Sequence, residues 1–273
     1  MTFSLKLWGV RGSIACPLPS HMKYGGNTSC IEVTVGEDTF VMDAGTGIRG
    51  LGQELMKREP FELTMLLTHT HWDHVNGFPF FIPAYNPHWA INIKAGHLSD
   101  QGGVHAILST QMESPLFPVP LAAMQSNLTF EDFRAGEEFD IFPDVHIRTT
   151  PLNHPNEATG YRIEYDGRVA CYVTDTEHVA GEIDKKILGL IEGADVVIYD
   201  STYTVEEYPS KVGWGHSTWN EGMLLCQEAG AKRLAIFHHD PDHDDVFMDG
   251  LETEAKEAWS GNFVTREGMV ITV

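Results

Sequence analysis

The stretch TMLLTHTHWDH, residues 64–74, constrains this chain more than any other, because an apolar run leads directly into three histidines and an aspartate. Residues 63–68 read as a buried strand, and extended backbone beyond it points His69 and His71 to the same side. A turn after Trp72 brings Asp73 and His74 round toward them. One isolated histidine there would be read as bonded to a backbone carbonyl. Four ligand-type side chains in six positions, H-x-H-x-D-H, favour two metal half-sites instead. Imidazole and carboxylate suit zinc, manganese or iron, and the lack of a neighbouring cysteine disfavours a thiolate site.

The remainder predicts one domain spanning residues 1–273. The chain has 273 residues, 42% of them hydrophobic, which is enough for a sizeable core, and neither a repeat nor a linker interrupts it. Short β-rich segments at 4–10, 30–35 and 39–43 are separated by Gly-rich turns. DAGTGIRGLGQELMKRE then shifts to helical spacing. From Gly77 to about Phe133 the pattern is irregular, and its aromatic, Gly, Pro and Met segments read as cover for a site. Strands follow at 145–150, 160–165, 169–174 and 196–199, with a helix near 184–191. The C-terminal part predicts a helix over 218–229, a strand at 233–237, an acidic loop, a helix near 249–259 and a last strand. Two groups of strands, each covered by helices, predict an α/β fold of two mixed sheets packed face to face in an αββα sandwich.

Charge narrows the partners. Lys plus Arg is 18 against 39 for Asp plus Glu, a formal net charge of -21. Such a surface repels polyanions, and no basic run supplies the phosphate contacts that stable nucleic-acid binding requires. The four cysteines, Cys16, Cys30, Cys171 and Cys226, form no CxxC pair, so no disulfide framework is expected. No signal-like N-terminus or membrane-length apolar run is present, and the chain reads as soluble and cytoplasmic, without a membrane partner.

With these motifs in view, the sequence resembles the metallo-β-lactamase superfamily. VMDAGTG supplies Asp43 as the family's first motif, LNHP supplies His154, YVTDTEH supplies Asp175, and IFHHDP supplies a terminal histidine. The resemblance implies one metal held by His69, His71 and His154, another by Asp73, His74 and a terminal histidine, and Asp175 joining them. His238 and His239 compete for that last place. GHSTWNEGMLLCQEAGAKRLAIFHHDP is similar to the tRNase Z branch, and in its register His238 is the ligand, while His239 becomes a supporting or substrate-facing group. The same likeness implies that His216, before the capping-box pair Thr218 and Glu221, donates to a phosphoryl oxygen or assists the leaving group.

Two divalent ions about 3.5–4 Å apart can hold a hydroxide and lower its pKa toward neutrality. The expected cofactor is therefore a pair of divalent ions, Zn2+ first, with Mn2+ or Fe as other candidates. Asp73 would orient the hydroxide, and His216 would serve the leaving oxygen. These expectations define a binuclear metal-dependent phosphodiesterase acting on a small anionic phosphodiester, foremost a cyclic nucleotide. A tRNA 3′-processing endonuclease is the alternative, disfavoured because residues 84–134 contain only Lys94 and Arg134 as basic residues. A carboxyl-ester or lactone hydrolase is a further alternative on the same scaffold. The resemblance also implies a homodimer.

Other stretches carry less. GVRGS, with Arg11, and YGGNTSC are tight turns or backbone close to a phosphate, with even weight on each. FPFFIPAY reads as core. DPDHDDVFMDGL lacks the glycine and glutamate that a calcium loop needs.

Overall fold

The computed structural model describes residues 2–98 and 102–273. The first half supplies β1 (Phe3–Gly9), β2 (Cys30–Val35), β3 (Asp38–Met42), β4 (Glu62–Leu67), β5 (Ala90–Ala95) and β6 (Asn127–Asp132). The second half supplies β7 (Glu138–Phe142), β8 (Val145–Leu152), β9 (Ala158–Tyr165), β10 (Arg168–Val173), β11 (Val196–Asp200), β12 (Leu234–Phe237) and β13 (Asn262–Val264). The last strand, β14 (Val270–Thr272), crosses back to the first sheet. The sheet orders are β14-β1-β2-β3-β4-β5-β6 and β13-β12-β11-β10-β9-β8-β7. Each is mixed, with antiparallel pairing on one side and a parallel run, β3 to β6 or β10 to β13, on the other.

The helices cover the outer faces, so the αββα arrangement is the one the strand groups predicted. Between the sheets, Leu5, Val33 and Phe40 meet Ile147, Ile163, Tyr172 and Ile198. Outside the first sheet, α1 (Ile48–Leu55) and α3 (Gly103–Gln111) bury Leu51, Leu55, Val104 and Leu108. Outside the second, α4 (Lys185–Ile191), α5 (Trp219–Glu228) and α6 (Asp245–Ala258) bury Ile187, Leu190, Leu225 and Leu251. Each such aliphatic side chain contributes roughly 1.5–3 kcal/mol on burial. β11 is buried at every residue and β4 at all but its first. Parallel strands covered on both faces require such unbroken apolar runs.

The described residues of the segment from Gly77 to about Phe133 differ from the expected site cover. They contribute β5, α3 and β6 and extend the first sheet. The six residues of β5 do alternate, but the short run lies between Pro- and Gly-rich segments. β6 lies at a sheet edge and stays largely exposed, which removes the apolar signal. α6 begins earlier than expected because the Asp244 side chain accepts the Phe247 amide and caps it. FPFFIPAY meets the core reading in part: Phe78, Phe81 and Ala84 pack inside, while Phe80 and Ile82 are exposed.

Arg11 lies wholly inside the protein. Its guanidinium donates to the carbonyls of Gly25, Asp240 and His243, and its backbone bridges to both Thr28 and His239. It therefore ties the first strand's exit to the end of β12 and does not face a phosphate. His239 is also enclosed, donating from Nε2 to the Thr265 carbonyl at 2.9 Å beside the Tyr24 ring. The substrate-facing option for His239 fails because neighbouring residues leave the strand end on opposite sides.

Burial, with Arg11 close by, pushes the His239 pKa down to about 3. The unfolded chain takes up that proton near the ordinary value of 6.5. Between those values the unfolded state binds more protons, so stability falls as pH is lowered through the window. Urea unfolding at stepped pH is predicted to give His239→Asn a shallower acid-side decline than the native chain, by up to about 1.4 kcal/mol per pH unit. Parallel declines would contradict this burial of a neutral imidazole.

Candidate metal centre

The parallel strands of both sheets end at one cleft, the position where α/β sheets present their functional loops. β3 leads to Asp43, β4 to His69 and His71, β10 to Asp175, β11 ends in Asp200, and β12 leads to His238. A single turn of helix, α2 (Trp72–Val75), starts after His71 and swings Asp73 and His74 into the cleft. Asp43, Asp175 and His238 all have left-handed backbones, with φ of 60°, 57° and 63°. That conformation is uncommon for residues with a side chain and concentrates at functional sites.

The structure gathers two donor groups at the histidine loop, His69 with His71 and His154, and Asp73 with His74, Asp175 and His238, and a third set of Asp175, Asp200, His216 and His238 overlaps the second. Ligand atoms within each group lie within 4.8 Å of one another. Asp175 stands between them. Its Oδ1 lies 3.7 Å from Nε2 of both His69 and His154, while its Oδ2 lies 3.1 Å from His74 Nε2 and 3.3 Å from His238 Nε2. His71 presents Nδ1 at 3.0 Å from His154 Nε2.

A second layer fixes which nitrogen of each ring is free. Asp43 can only accept, and does so from the Thr68 amide and hydroxyl, the Tyr172 hydroxyl and His74 Nδ1. His154 Nδ1 donates to the Gly215 carbonyl at 2.7 Å. The Thr202 hydroxyl is committed to Asp200, so His238 Nδ1 donates to Thr202 Oγ1 at 2.9 Å. By the same reasoning His69 Nδ1 donates to Thr68 Oγ1. Nε2 of His69, His154 and His238 is left as a lone pair aimed at the cleft, and His74 turns its Nε2 the same way. Asp73 is held from the GVRGS turn, where the Ser13 amide donates to Oδ2 at 2.7 Å. Gly12 in that turn is required, since a Cβ there would lie 2.3 Å from the His238 ring.

The donor set fits divalent cations. His69 Nε2 is buried without a hydrogen-bond partner, which a coordinating ion would supply. Burial holds the His69, His71 and His154 pKa values below the ordinary imidazole range, so these rings are neutral and ready to coordinate. Burial also opposes charge on His74, yet Asp175, Asp73 and Asp43 outweigh it and raise that pKa well above 6.5. A cation placed among these carboxylates would displace that proton. Burial likewise opposes ionisation of Asp73 and Asp175, and the surrounding imidazoles reverse it, holding both far below the ordinary carboxylate range.

His216 stands beside this set, its ring centroid 5.3 Å from that of His154 and 4.9 Å from that of His238. Its partner is Asp200, which sequence reasoning missed because the residue reads there as the end of an apolar strand. The fully buried Asp200 accepts His216 Nδ1 at 2.9 Å and the amides of Thr176 and Thr202. Burial works against a charged ring, but Asp200 prevails and raises the His216 pKa to about 9. Glu177 was also missed. Its Oε2 accepts the amides of Gly213 and Gly215, both at 2.8 Å, and so pins the loop carrying the His154 acceptor and His216. Of the capping box, the Thr218 half is present, accepting the Glu221 amide.

Residues 38–239 match the Beta-lactamase superfamily domain. This chain belongs to that superfamily and is a metal-dependent hydrolase. It is 24% identical over 314 residues to a Ribonuclease Z of Haloarcula marismortui, an alignment covering 98% of this chain and 95% of the relative. Among solved structures it resembles the metallo-beta-lactamase fold protein YhfI from Bacillus subtilis, with a TM-score of 0.75, 17% identity and 99% of each chain covered. It also resembles a diphosphatase from the PhnP family, with a TM-score of 0.73 and 16% identity, covering 100% of this chain and 98% of the other. At these identities the two structures speak for the fold.

Asp43→Asn keeps the shape of the side chain but puts an amide where four donors converge. Calorimetric titration with Zn2+ is predicted to show affinity reduced roughly 10- to 100-fold, the usual cost of disturbing a ligand's support, with the circular dichroism spectrum retained. Unchanged affinity would mean that Asp43 does not hold the histidine loop.

Proposed function

We propose that the protein is a binuclear, metal-dependent phosphodiesterase acting on a small anionic phosphodiester, foremost a cyclic nucleotide. The observation that carries this reading is a pair of donor groups sharing Asp175, next to a proton-bearing His216–Asp200 pair. One divalent ion would be held by His69, His71 and His154, and the second by Asp73, His74 and His238, with Asp175 contributing to both. Nitrogen and carboxylate donors without thiolate favour Zn2+, with Mn2+ or Fe acceptable. When bound, such ions supply Lewis acidity and an activated water at neutral pH.

The chain's own residues divide the remaining work. Asp73, oriented by the Ser13 amide, accepts a hydrogen bond from the attacking water and directs it in line with the departing oxygen. His216 carries its proton on Nε2, because Nδ1 is committed to Asp200, and delivers it to the departing oxygen. Asp200 maintains that tautomer and the positive charge that offsets the oxyanion. His154 and His216 keep their positions through the loop bound by Glu177.

The Ribonuclease Z likeness favours a second reading, tRNA 3′ processing. Against it stand the net charge of -21 and the segment 84–134. Of its two basic residues, Lys94 is already paired with Glu131 on the neighbouring strand. A compact substrate meets less repulsion. The four buried free cysteines are in keeping with the reducing cytoplasm we assign to it.

The test is turnover by chelator-stripped protein reloaded with Zn2+ or Mn2+, offered 3′,5′- and 2′,3′-cyclic nucleotides, bis(p-nitrophenyl) phosphate, a carboxyl ester and an unprocessed tRNA. Cleavage of the small phosphodiesters is expected, abolished in Asp73→Ala and reduced roughly 10²- to 10⁴-fold in His216→Ala, as for loss of a general acid. Cleavage of tRNA alone, or of the ester alone, would replace the reading with that activity.

A further inference from the structure

The loop that carries His216 also carries an unusual cation. Lys211 Nζ sits over two aromatic faces, 4.6 Å from the Trp214 ring centroid and 5.6 Å from that of Tyr203. In a chain with 39 acidic residues it makes no ion pair among the described residues. Tyr203 is buried, and its ring meets that of His216 edge-on at 5.9 Å. Trp214, in contrast, is 61% exposed, although it immediately precedes Gly215, whose carbonyl receives His154 Nδ1. The segment is rigidly built. Glu177 binds the amides on either side of Trp214, and a Cβ at Gly215 would lie 2.3 Å from His154 Nδ1. Core packing does not explain an indole held out to solvent on a pinned loop beside the donor groups, and ion pairing does not explain the ammonium.

We infer that Lys211 and Trp214 form a substrate-recognition site next to the reaction centre, for a nucleotide carrying a phosphate beyond the one being cleaved. The inference rests on the phosphodiesterase reading and, within it, shifts the preferred substrate from a cyclic mononucleotide, which carries only the scissile phosphate, to a nucleotide with a second one. Trp214 offers its outward face to an aromatic base, a contact worth about 1–3 kcal/mol per base. Lys211, raised on Tyr203 beside His216, offers an unpaired positive charge to the second phosphate. The donor groups already account for the scissile phosphate. The arrangement therefore favours a phosphorylated dinucleotide over a mononucleotide with a single phosphate.

The test measures binding apart from turnover. Metal-loaded native protein is titrated with phosphorothioate-linked diadenylate, with and without a 5′-phosphate, as slowly cleaved ligands, following tryptophan fluorescence. The form with the 5′-phosphate should bind about tenfold more tightly, the scale of one charge-assisted contact. That preference should vanish in Lys211→Ala and return in Lys211→Arg, while Trp214→Ala should weaken both ligands roughly tenfold and Trp214→Phe should restore them. Turnover of the unmodified dinucleotides should show the same pattern in KM, with kcat changed less. Equal binding of the two ligands by native protein, or a preference that survives Lys211→Ala, would overturn the inference even if the phosphodiesterase activity stands. Selective binding without turnover of any phosphodiester would instead remove the activity and leave the recognition site.

Discussion

Asp175 is an ionised carboxylate at 1% exposure, and much of the surrounding structure serves to keep it so. Burying such a charge without compensation costs several kcal/mol or more. Rings from four separate segments surround it: His69 and His74 after β4, His154 after β8, His238 after β12 and His216 before α5, and of these His74 and His216, whose pKa values are raised, carry the compensating charge. Each donor faces one of the two oxygens of Asp175, so the carboxylate organises two half-sites at once. The two sheets, packed through Tyr172, Ile198 and Phe237, bring these segments to one edge. Tyr172 links the layers directly, since its ring lies in the core while its hydroxyl donates to Asp43.

The backbone contributes as well. Asp43, Asp175 and His238 each turn into the left-handed region where a strand ends, a conformation that costs of order 1–3 kcal/mol for a residue with a side chain. The cost is met by hydrogen bonds around these residues: four donors converge on Asp43, and Thr202 Oγ1 accepts from the ring of His238. Ser13, itself at φ 62°, spends its amide on Asp73. The geometry is thus set before any substrate arrives, as electrostatic catalysis requires.

The sequence carried the histidine loop, Asp43, His154, Asp175 and His238 as side chains that the fold gathers at one cleft, because each stands in a short motif next to an apolar strand. It carried the strand groups that predict two sheets. It did not carry Asp200 or Glu177, whose roles depend on partners 16 and 36 or more residues away. Lys211 and Trp214 were equally silent, since a lysine and a tryptophan among glycines resemble an ordinary loop until the fold sets Lys211 over the rings of Trp214 and Tyr203. β5 and β6 were lost for a different reason. Their short, half-exposed patterns fall below the signal that a buried parallel strand provides, and only the pairing of β5 with β4 and of β6 with β5 makes them strands.

The account turns on two cations sharing Asp175. The most direct measurement is anomalous diffraction at the zinc and manganese edges from crystals grown without chelator. Two peaks are predicted, one bounded by His69, His71 and His154, the other by Asp73, His74 and His238, with an oxygen of Asp175 toward each. A single peak, or ions bound away from these residues with His69 Nε2 still unpartnered, would contradict the account.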